Sequence, residues 1–175
     1  MVLTTGGKIK QHLRPKRAVQ KGVSIMAGTY TNLLYHIVFS TKERRQILKG
    51  NFVEQTYNYI GGIIRNEKGC LYSIGGMPEH IHILLHIPPI ISVADMIKNI
   101  KGSSSKWIKN ERHFNSWSGW QRGYGAFSVS KSSIEKVEKY ITGQKEHHRQ
   151  RTFKDEFIEL LKKHDIEYDE RYIWD

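Results

Sequence analysis

Apolar and polar residues alternate along some segments of the chain and recur at helical spacing in others. Residues 29–41, TYTNLLYHIVFST, are rich in aromatic and β-branched side chains and predict a first strand. In residues 42–69 the apolar positions recur three or four apart, which predicts one or two helices ending near Gly69. Residues 70–77, CLYSIGGM, and 80–87, HIHILLHI, predict the second and third strands, and Pro88 and Pro89 end the third.

The second half of the chain continues this alternation of helices and strands. Ser92 as N-cap and Asp95 at the capping-box position begin a helix over 92–111. A loop over 112–123, a strand over 124–130 and helices over 132–150 and 153–164 follow. The order strand, helix, strand, strand, helix, strand, helix is the split β-α-β pattern. It predicts a ferredoxin-like α+β fold, a four-stranded antiparallel sheet with helices on one face.

The third strand carries histidines at alternate positions. Residues two apart on a strand share a face and lie roughly 6.5 to 7 Å apart, so His80 and His82 can each offer an imidazole nitrogen to one metal ion. The ordinary alternative is a pair of partly exposed histidines on a polar sheet face. His86 lies a further ~7 Å along and is predicted to be a solvated or hydrogen-bonded neighbour, while the alternate isoleucines and leucines face the core.

A tyrosine and an amide occupy one face of the helix predicted over 132–150. Tyr140 and Gln144 are four residues apart, so a reactive phenol lies beside a possible oxygen ligand. The alternative is that Tyr140 is a half-buried aromatic of a core-facing helix. Gly143 lowers helix stability by ~1 kcal/mol relative to alanine, which would suit a helix that shifts during a reaction. His147 and His148 are further candidate ligands, or else part of a cationic helix end.

Composition limits the class of protein. A length of 175 residues, 38% hydrophobic and 26% charged, is ordinary for one globular domain. No apolar run approaches the ~18 residues of a membrane helix, so no membrane partner is expected. Cys70 is the one cysteine, which excludes an intrachain disulfide and fits a reducing cytoplasm.

The formal net charge of +11 makes nucleic acid the first partner to consider. Residues 1–25 contribute +6 of it and contain no acid, so they are expected to form a basic, disordered extension before a domain over 26–175. Cations and aromatics expected to contact phosphates and unpaired bases are Lys42, Arg44, Arg45, Lys106, Trp120 and Arg122. The ordinary alternatives are solvated charges and, for the tryptophans, a place at the edge of the core.

Three segments together resemble one family. PEHIHILLHIP resembles the His-hydrophobic-His motif of HUH nucleases, YTNLLYHIVFSTKERR their first strand, and YGAFSVSKSSIEKVEKYITGQKEHH the region of their single catalytic tyrosine. Over 26–148 the chain is similar to the small one-tyrosine transposases of the IS200/IS605 type. The resemblance implies that His80, His82 and Gln144 hold Mg²⁺ or Mn²⁺ and that Tyr140, on a C-terminal helix, is the nucleophile. It also implies a homodimer acting in the cytoplasm on single-stranded DNA with hairpin ends.

The implied reaction cuts and rejoins DNA without a nucleotide cofactor. Attack by the Tyr140 phenol, whose unperturbed pKa is ~10, would leave a 5′-phosphotyrosine and a free 3′-OH, with the metal as Lewis acid; no dedicated base is identified. Three alternatives stay open. They are a domesticated relative that processes host repeats, a non-catalytic ferredoxin-like nucleic-acid binder, and a zinc hydrolase using His80, His82 and His147 or His148.

Overall fold

Four strands and five α-helices are found in the part of the chain that this computed structural model describes, residues 28–111, 117–148 and 151–174. The predicted extension, 1–25, lies outside the described residues. None of the described helices is both long and apolar enough to cross a membrane. The strands are β1 Leu34–Ser40, β2 Cys70–Met77, β3 His80–His86 and β4 Gly125–Ser128; the helices are α1 Asn51–Asn66, α2 Val93–Glu111, α3 Ile134–Thr142, α4 Gln144–His147 and α5 Phe153–Lys163.

The strands form one antiparallel sheet in the order β2-β3-β1-β4. The crossover through α1 leaves a gap of one strand between β1 and β2, and β3 fills it; β1 fills the equivalent gap between β3 and β4. This is the split β-α-β arrangement, so the predicted ferredoxin-like α+β fold is confirmed. The register places Ser40 opposite His80 and Val38 opposite His82.

The main core lies between one face of the sheet and helices α1 and α2. It contains the alternate apolar residues predicted for this face, since Ile81, Ile83 and Leu85 of β3 are fully buried beside Ile37 and Phe39 of β1. Full burial of such a side chain contributes about 1.5–3 kcal/mol to folding. The core therefore holds β1 and β3 rigidly, and with them the side chains on their other face.

The prediction of helices on one face is wrong, because α3 and α5 cover the second face. The apolar stripes of these two amphipathic helices need a partner surface, and β1, β3 and β4 supply it. Two clusters result, one of Leu34 and Leu84 with Ile134 and Ile141 of α3, the other of Val38 and Phe127 with Phe153, Leu160 and Leu161 of α5. The histidine face of β3 is therefore interior, and its imidazoles are buried.

The helix predicted over 132–150 is interrupted at Gly143. Helix α3 ends at Thr142, the Gly143 N–H donates to the Lys139 carbonyl at 2.9 Å, and α4 begins at Gln144. Helix α5 then begins with a capping box between Thr152 and Asp155. Tyr140 of α3 and Gln144 of α4 both contact Glu156 of α5, so the three helices meet over the same part of the sheet.

Gly75 of β2 lets α3 pack closely on the sheet. A Cβ at this position would lie only 2.7 Å from the Ile141 carbonyl oxygen. Gly75 is also the residue opposite His82 in the register. The absence of a side chain at Gly75 thus allows the helix that carries Tyr140 to come close to the histidine strand.

Candidate functional site

Strand β3 places two imidazoles side by side beneath α5. His80 and His82 have ring centroids 5.0 Å apart, and neither is exposed at all. Phe153 of α5 stacks on His80 with a centroid distance of 4.4 Å. The His82 Nδ1 atom lies 3.0 Å from His36 Nε2, so one of these nitrogens donates to the other. Both ring orientations are consequently fixed by neighbours, and both Nε2 atoms point toward α5.

Glu156 of α5 lies at the centre of this cluster and was not predicted from the sequence. Its Oε2 atom is 3.5 Å from His80 Nε2, 3.3 Å from His82 Nε2 and 3.0 Å from His148 Nε2. Its Oε1 atom accepts hydrogen bonds from the Tyr140 hydroxyl and, at 2.8 Å, from Gln144 Nε2. A carboxylate that is 5% exposed therefore joins residues from three separate elements.

The four residues singled out for the chemistry lie together. Tyr140 and Gln144 both contact Glu156, and Gln144 Oε1 is 3.3 Å from His80 Nε2. The Tyr140 ring is 5.8 Å from that of His82. Of the two further candidate ligands, His148 belongs to the cluster, because its Nε2 contacts Glu156. The side chain of His147 lies outside the described part of the structure.

His86, at the far end of the same strand face, is buried rather than solvated, and its Nδ1 has no hydrogen-bond partner among the described residues. Burial of the ring thus contradicts the expectation of a solvated side chain here.

Burial and the Glu156 charge set the protonation of the cluster. Burial and this carboxylate together raise the pKa of the Tyr140 phenol well above its usual range. Burial alone would raise the pKa of Glu156, but hydrogen bonds from His148 and neighbouring groups hold it well below its usual range. Burial lowers the pKa of His82 more than Glu156 raises it, whereas at His148 the carboxylate prevails over burial and the pKa is raised. At neutral pH, therefore, Glu156 is ionised, Tyr140 is protonated and His82 is a neutral imidazole.

The donor atoms fit a divalent metal ion. Among the described residues, His80, His82 and Glu156 offer ligand atoms that all lie within 4.8 Å of one another, and all three are buried. The His82 Nε2 atom has no hydrogen-bond partner, although Glu156 is near it. A buried polar atom without a partner is costly, and a cation between these atoms would satisfy it. Imidazole and oxygen donors together suit several divalent metals.

The predicted DNA-contacting cations lie on the surface, with differing partners. Lys42, Lys106 and Arg122 are exposed. Arg45 is exposed and pairs with Glu43 at 2.6 Å. The Arg44 guanidinium lies 5.8 Å from the centre of the Trp174 ring. None of these side chains is buried, so each stays a candidate for phosphate contact.

Trp120 is a core residue. Its ring packs edge-on against Phe39 at 5.0 Å, its Nε1 donates to Ser104 Oγ at 2.9 Å, and 9% of it is exposed. An indole held in this way offers no free face to a base, so the structure contradicts the predicted stacking of Trp120 on unpaired DNA.

Comparison with known proteins identifies one family. A family model described as transposase IS200 like matches residues 29–144. A transposase of insertion sequence element IS200 from Salmonella typhimurium is 34% identical over 137 residues, which cover 69% of this chain and 82% of that protein. The ISDra2 transposase TnpA from Deinococcus radiodurans is 26% identical over 122 residues, which cover 67% of this chain and 87% of that protein.

Solved structures share the fold. A crystal structure assigned as a transposase of Deinococcus radiodurans aligns with a TM-score of 0.56 at 26% identity, covering 71% of this chain and 97% of that chain. A REP-associated tyrosine transposase bound to a REP hairpin aligns with a TM-score of 0.53 at 14% identity, covering 69% of this chain and 73% of that chain. The family match includes His80, His82, Tyr140 and Gln144 but ends before Glu156.

Proposed function

The chain belongs to the IS200-like transposase family, and from this premise we propose that it cuts and rejoins single-stranded DNA at insertion-sequence ends through a 5′-phosphotyrosine intermediate. The observation that carries the proposal is the position of Tyr140 in the same cluster as His80, His82 and Gln144. A nucleophile beside a set of metal-binding donors is what phosphoryl transfer from DNA to a tyrosine requires.

Tyr140 is the proposed nucleophile. Its oxygen attacks the scissile phosphorus, the bond from phosphorus to the 3′ oxygen breaks, and a free 3′-OH leaves while the 5′ phosphate stays on the tyrosine. The phenol proton is lost and the departing 3′ oxygen gains one. Attack by a second 3′-OH on the phosphotyrosine reverses these bond changes and reseals the strand. The phosphoester bond is conserved throughout, so no nucleotide cofactor is needed.

His80, His82 and Gln144 are the proposed metal ligands, with Mg²⁺ or Mn²⁺ as the metal. When bound between these side chains, such an ion would supply Lewis-acid stabilisation of the charge on the scissile phosphate. The unpartnered Nε2 of His82 and the Gln144 oxygen facing His80 support this assignment. Glu156 accepts the hydroxyl hydrogen bond of Tyr140 and so fixes the direction in which the phenol oxygen points. The packing of Phe153 over His80 excludes water from one side of the site.

The proposed substrate is single-stranded DNA with hairpins at the element ends, and the proposed assembly is a homodimer in the cytoplasm. The net charge of +11 supports a polyanionic partner. A hairpin substrate is supported by the structural neighbour that binds a REP hairpin. Lys42, Arg44, Arg45, Lys106 and Arg122 are proposed to contact phosphates. The described chain brings Tyr140 to its own histidine pair, so light scattering and mixed-subunit complementation would show whether the dimer shares its sites.

A denaturing gel tests the chemistry. Purified protein is mixed with labelled single-stranded oligonucleotides covering the ends of its genomic neighbourhood, with Mg²⁺ or Mn²⁺. We expect a protein–DNA adduct that survives denaturation and is lost in Tyr140→Phe and His80→Ala. Tyr59→Phe is the matched control, because Tyr59 lies on α1, stacked on Trp107 and away from the cluster; it should form the adduct normally.

Other outcomes would support the alternative functions. Binding of DNA without an adduct on any end sequence or with either metal would favour a non-catalytic nucleic-acid binder. Cleavage that persists in Tyr140→Phe would favour a metal hydrolase that uses His80, His82 and His148. A domesticated relative would give the same adduct, and the genomic surroundings of the gene would identify it by the absence of paired element ends.

A further inference from the structure

We infer that Glu156 is itself a metal ligand, so that the metal site of this chain includes α5, beyond the residues that the family model matches. The inference deepens the proposed function, on which it rests for the presence of a metal. Glu156, which lies outside the residues that the family model matches, would then bind the metal together with the histidine pair and Gln144.

Proximity is the first support. The Glu156 Oε2 atom lies 3.3 Å from His82 Nε2 and 3.5 Å from His80 Nε2. These are distances between two ligand atoms. Two atoms that each lie about 2.0–2.3 Å from one ion are themselves about 3–4 Å apart, so the observed separations suit donors that share an ion. No other group of three histidine, cysteine or acidic side chains in the described part of the chain brings its ligand atoms so close together.

The grouping of the donor atoms around His80 Nε2 is the second support. His80 Nδ1 lies 3.2 Å from Glu79 Oε1, and an ionised carboxylate only accepts, so this ring nitrogen carries the proton. The Nε2 atom of the same ring faces Gln144 Oε1 at 3.3 Å and Glu156 Oε2 at 3.5 Å. Gln144 Nε2 already donates to Glu156 Oε1. An imidazole nitrogen, an amide oxygen and a carboxylate oxygen are therefore grouped together, which is a donor set that suits a divalent cation.

The surroundings of the carboxylate are the third support. Tyr140 and Gln144 both donate to Oε1, and His148 Nε2 contacts Oε2. His148 is oriented in turn by its Nδ1, which donates to the Arg151 carbonyl at 3.0 Å. Metal-binding carboxylates are characteristically held by such outer hydrogen bonds. The two uncharged donors, the Tyr140 hydroxyl and the Gln144 amide, both bond to Oε1. We therefore assign Oε2 to the metal.

The burial of the acid is the fourth support. Helix α5 is amphipathic, and its apolar residues Phe153, Leu160 and Leu161 are buried on the sheet. Glu156 lies on the same buried side and is 5% exposed. An ionised side chain in such a place is costly unless it is paired or binds a metal. Glu156 is paired with His148, but apolar residues often replace a buried ion pair at no cost in stability, so the pair alone does not account for an acid here.

Calorimetric titration of the metal-free full-length chain with MnCl₂ tests the inference. We expect Glu156→Gln to raise the Mn²⁺ dissociation constant at least about tenfold, the lower bound for losing even an outer-shell partner. Glu159→Gln is the matched control, because Glu159 lies on the same helix and the substitution removes the same charge. The described ionic partners of Glu159 are Arg151 and Lys163, both at the surface. Its affinity should equal that of the wild type.

Either of two results would overturn the assignment: Glu156→Gln binding Mn²⁺ as tightly as Glu159→Gln, or no Mn²⁺ binding by the wild type. Circular dichroism of each variant without metal checks its folding. If Glu156→Gln does not fold, anomalous diffraction from wild-type crystals containing Mn²⁺ decides. An ion bonded to His80, His82 and Glu156 supports the inference, and an ion on the histidines with Glu156 turned away overturns it.

The two proposals fail separately. Tyr140→Phe should abolish the adduct but keep Mn²⁺ binding, because the phenol is not a proposed ligand. If the wild type binds Mn²⁺ through Glu156 yet forms no adduct, the phosphotyrosine mechanism fails and the ligand assignment stands. If the wild type forms the adduct and Glu156→Gln binds Mn²⁺ normally, only the ligand assignment fails.

Discussion

Replacing Gly75 with alanine tests whether the contact between β2 and α3 positions the nucleophile. The added Cβ would lie 2.7 Å from the Ile141 carbonyl oxygen and 3.1 Å from Ile141 Cγ2. Ile141 directly follows Tyr140 in α3, so the clash acts on the helix that carries the phenol. No polar group of the site is altered, and the backbone of Gly75 is in a conformation that alanine also adopts.

The size of the effect follows from the clash. Ordinary contacts of a Cβ begin at 3.4 Å, so α3 must move away from β2 by about 0.7 Å. A displacement of about 1 Å at a catalytic group costs about 100-fold in rate. We therefore expect adduct formation to slow by about 10- to 100-fold, and the overpacking to lower the free energy of unfolding by about 1–3 kcal/mol.

Single-turnover adduct formation on the same oligonucleotides measures the rate, and thermal unfolding measures stability. Gly102→Ala is the matched control, because its added Cβ on α2 would contact nothing within 4 Å. Alanine there should keep the wild-type rate and stabilise the helix by about 1 kcal/mol. A Gly75→Ala protein with the rate and stability of the wild type would refute the argument that this contact positions Tyr140.

Three further predictions concern stability and DNA binding. Thr152→Ala removes the cap of α5 and should lower the free energy of unfolding by about 1 kcal/mol in urea titration; no change would mean that the cap contributes nothing. Trp120→Phe loses the hydrogen bond to Ser104 and should destabilise the fold by about 1–3 kcal/mol. Its affinity for single-stranded DNA, measured by fluorescence anisotropy, should be unchanged. Weaker DNA binding at unchanged stability would contradict the assignment of Trp120 to the core. Lys106→Gln and Arg122→Gln should each reduce the slope of log affinity against log salt by about 0.7, and an unchanged slope would exclude a phosphate contact.

The strand order could be predicted because it depends on local patterns. The apolar alternation in β1 and β3 and the helical spacing before β2 are each visible within a short window. The covering of the second sheet face could not be predicted in the same way. The alternation of His80 and His82 with apolar residues is the same whether their face meets water or α5, and only the tertiary packing of α5 decides between the two.

The candidate site was partly predictable for a similar reason. Tyr140 and Gln144 were expected on one continuous helix; the chain breaks at Gly143, yet both side chains reach Glu156. Glu156 itself left one signal, an acid next to Phe157 and three residues after Phe153 on the apolar stripe of α5. An acid in such a position often lies at the edge of the stripe in solvent. Its partners come from β3, α3 and α4, and a short window cannot reveal them.

The position of α5 in the chain has a consequence for the order of folding. The ribosome completes β1 to β4 before it makes α5, so the sheet and its main core can form while the histidine face is still open to water. Docking of α5 then closes that face in a separate, later step. The nascent protein therefore has its imidazole pair before it has the acid that faces them. In native-state hydrogen exchange, the amides of α5 should exchange through the unfolding of a smaller part of the protein than the amides of β1 and β3.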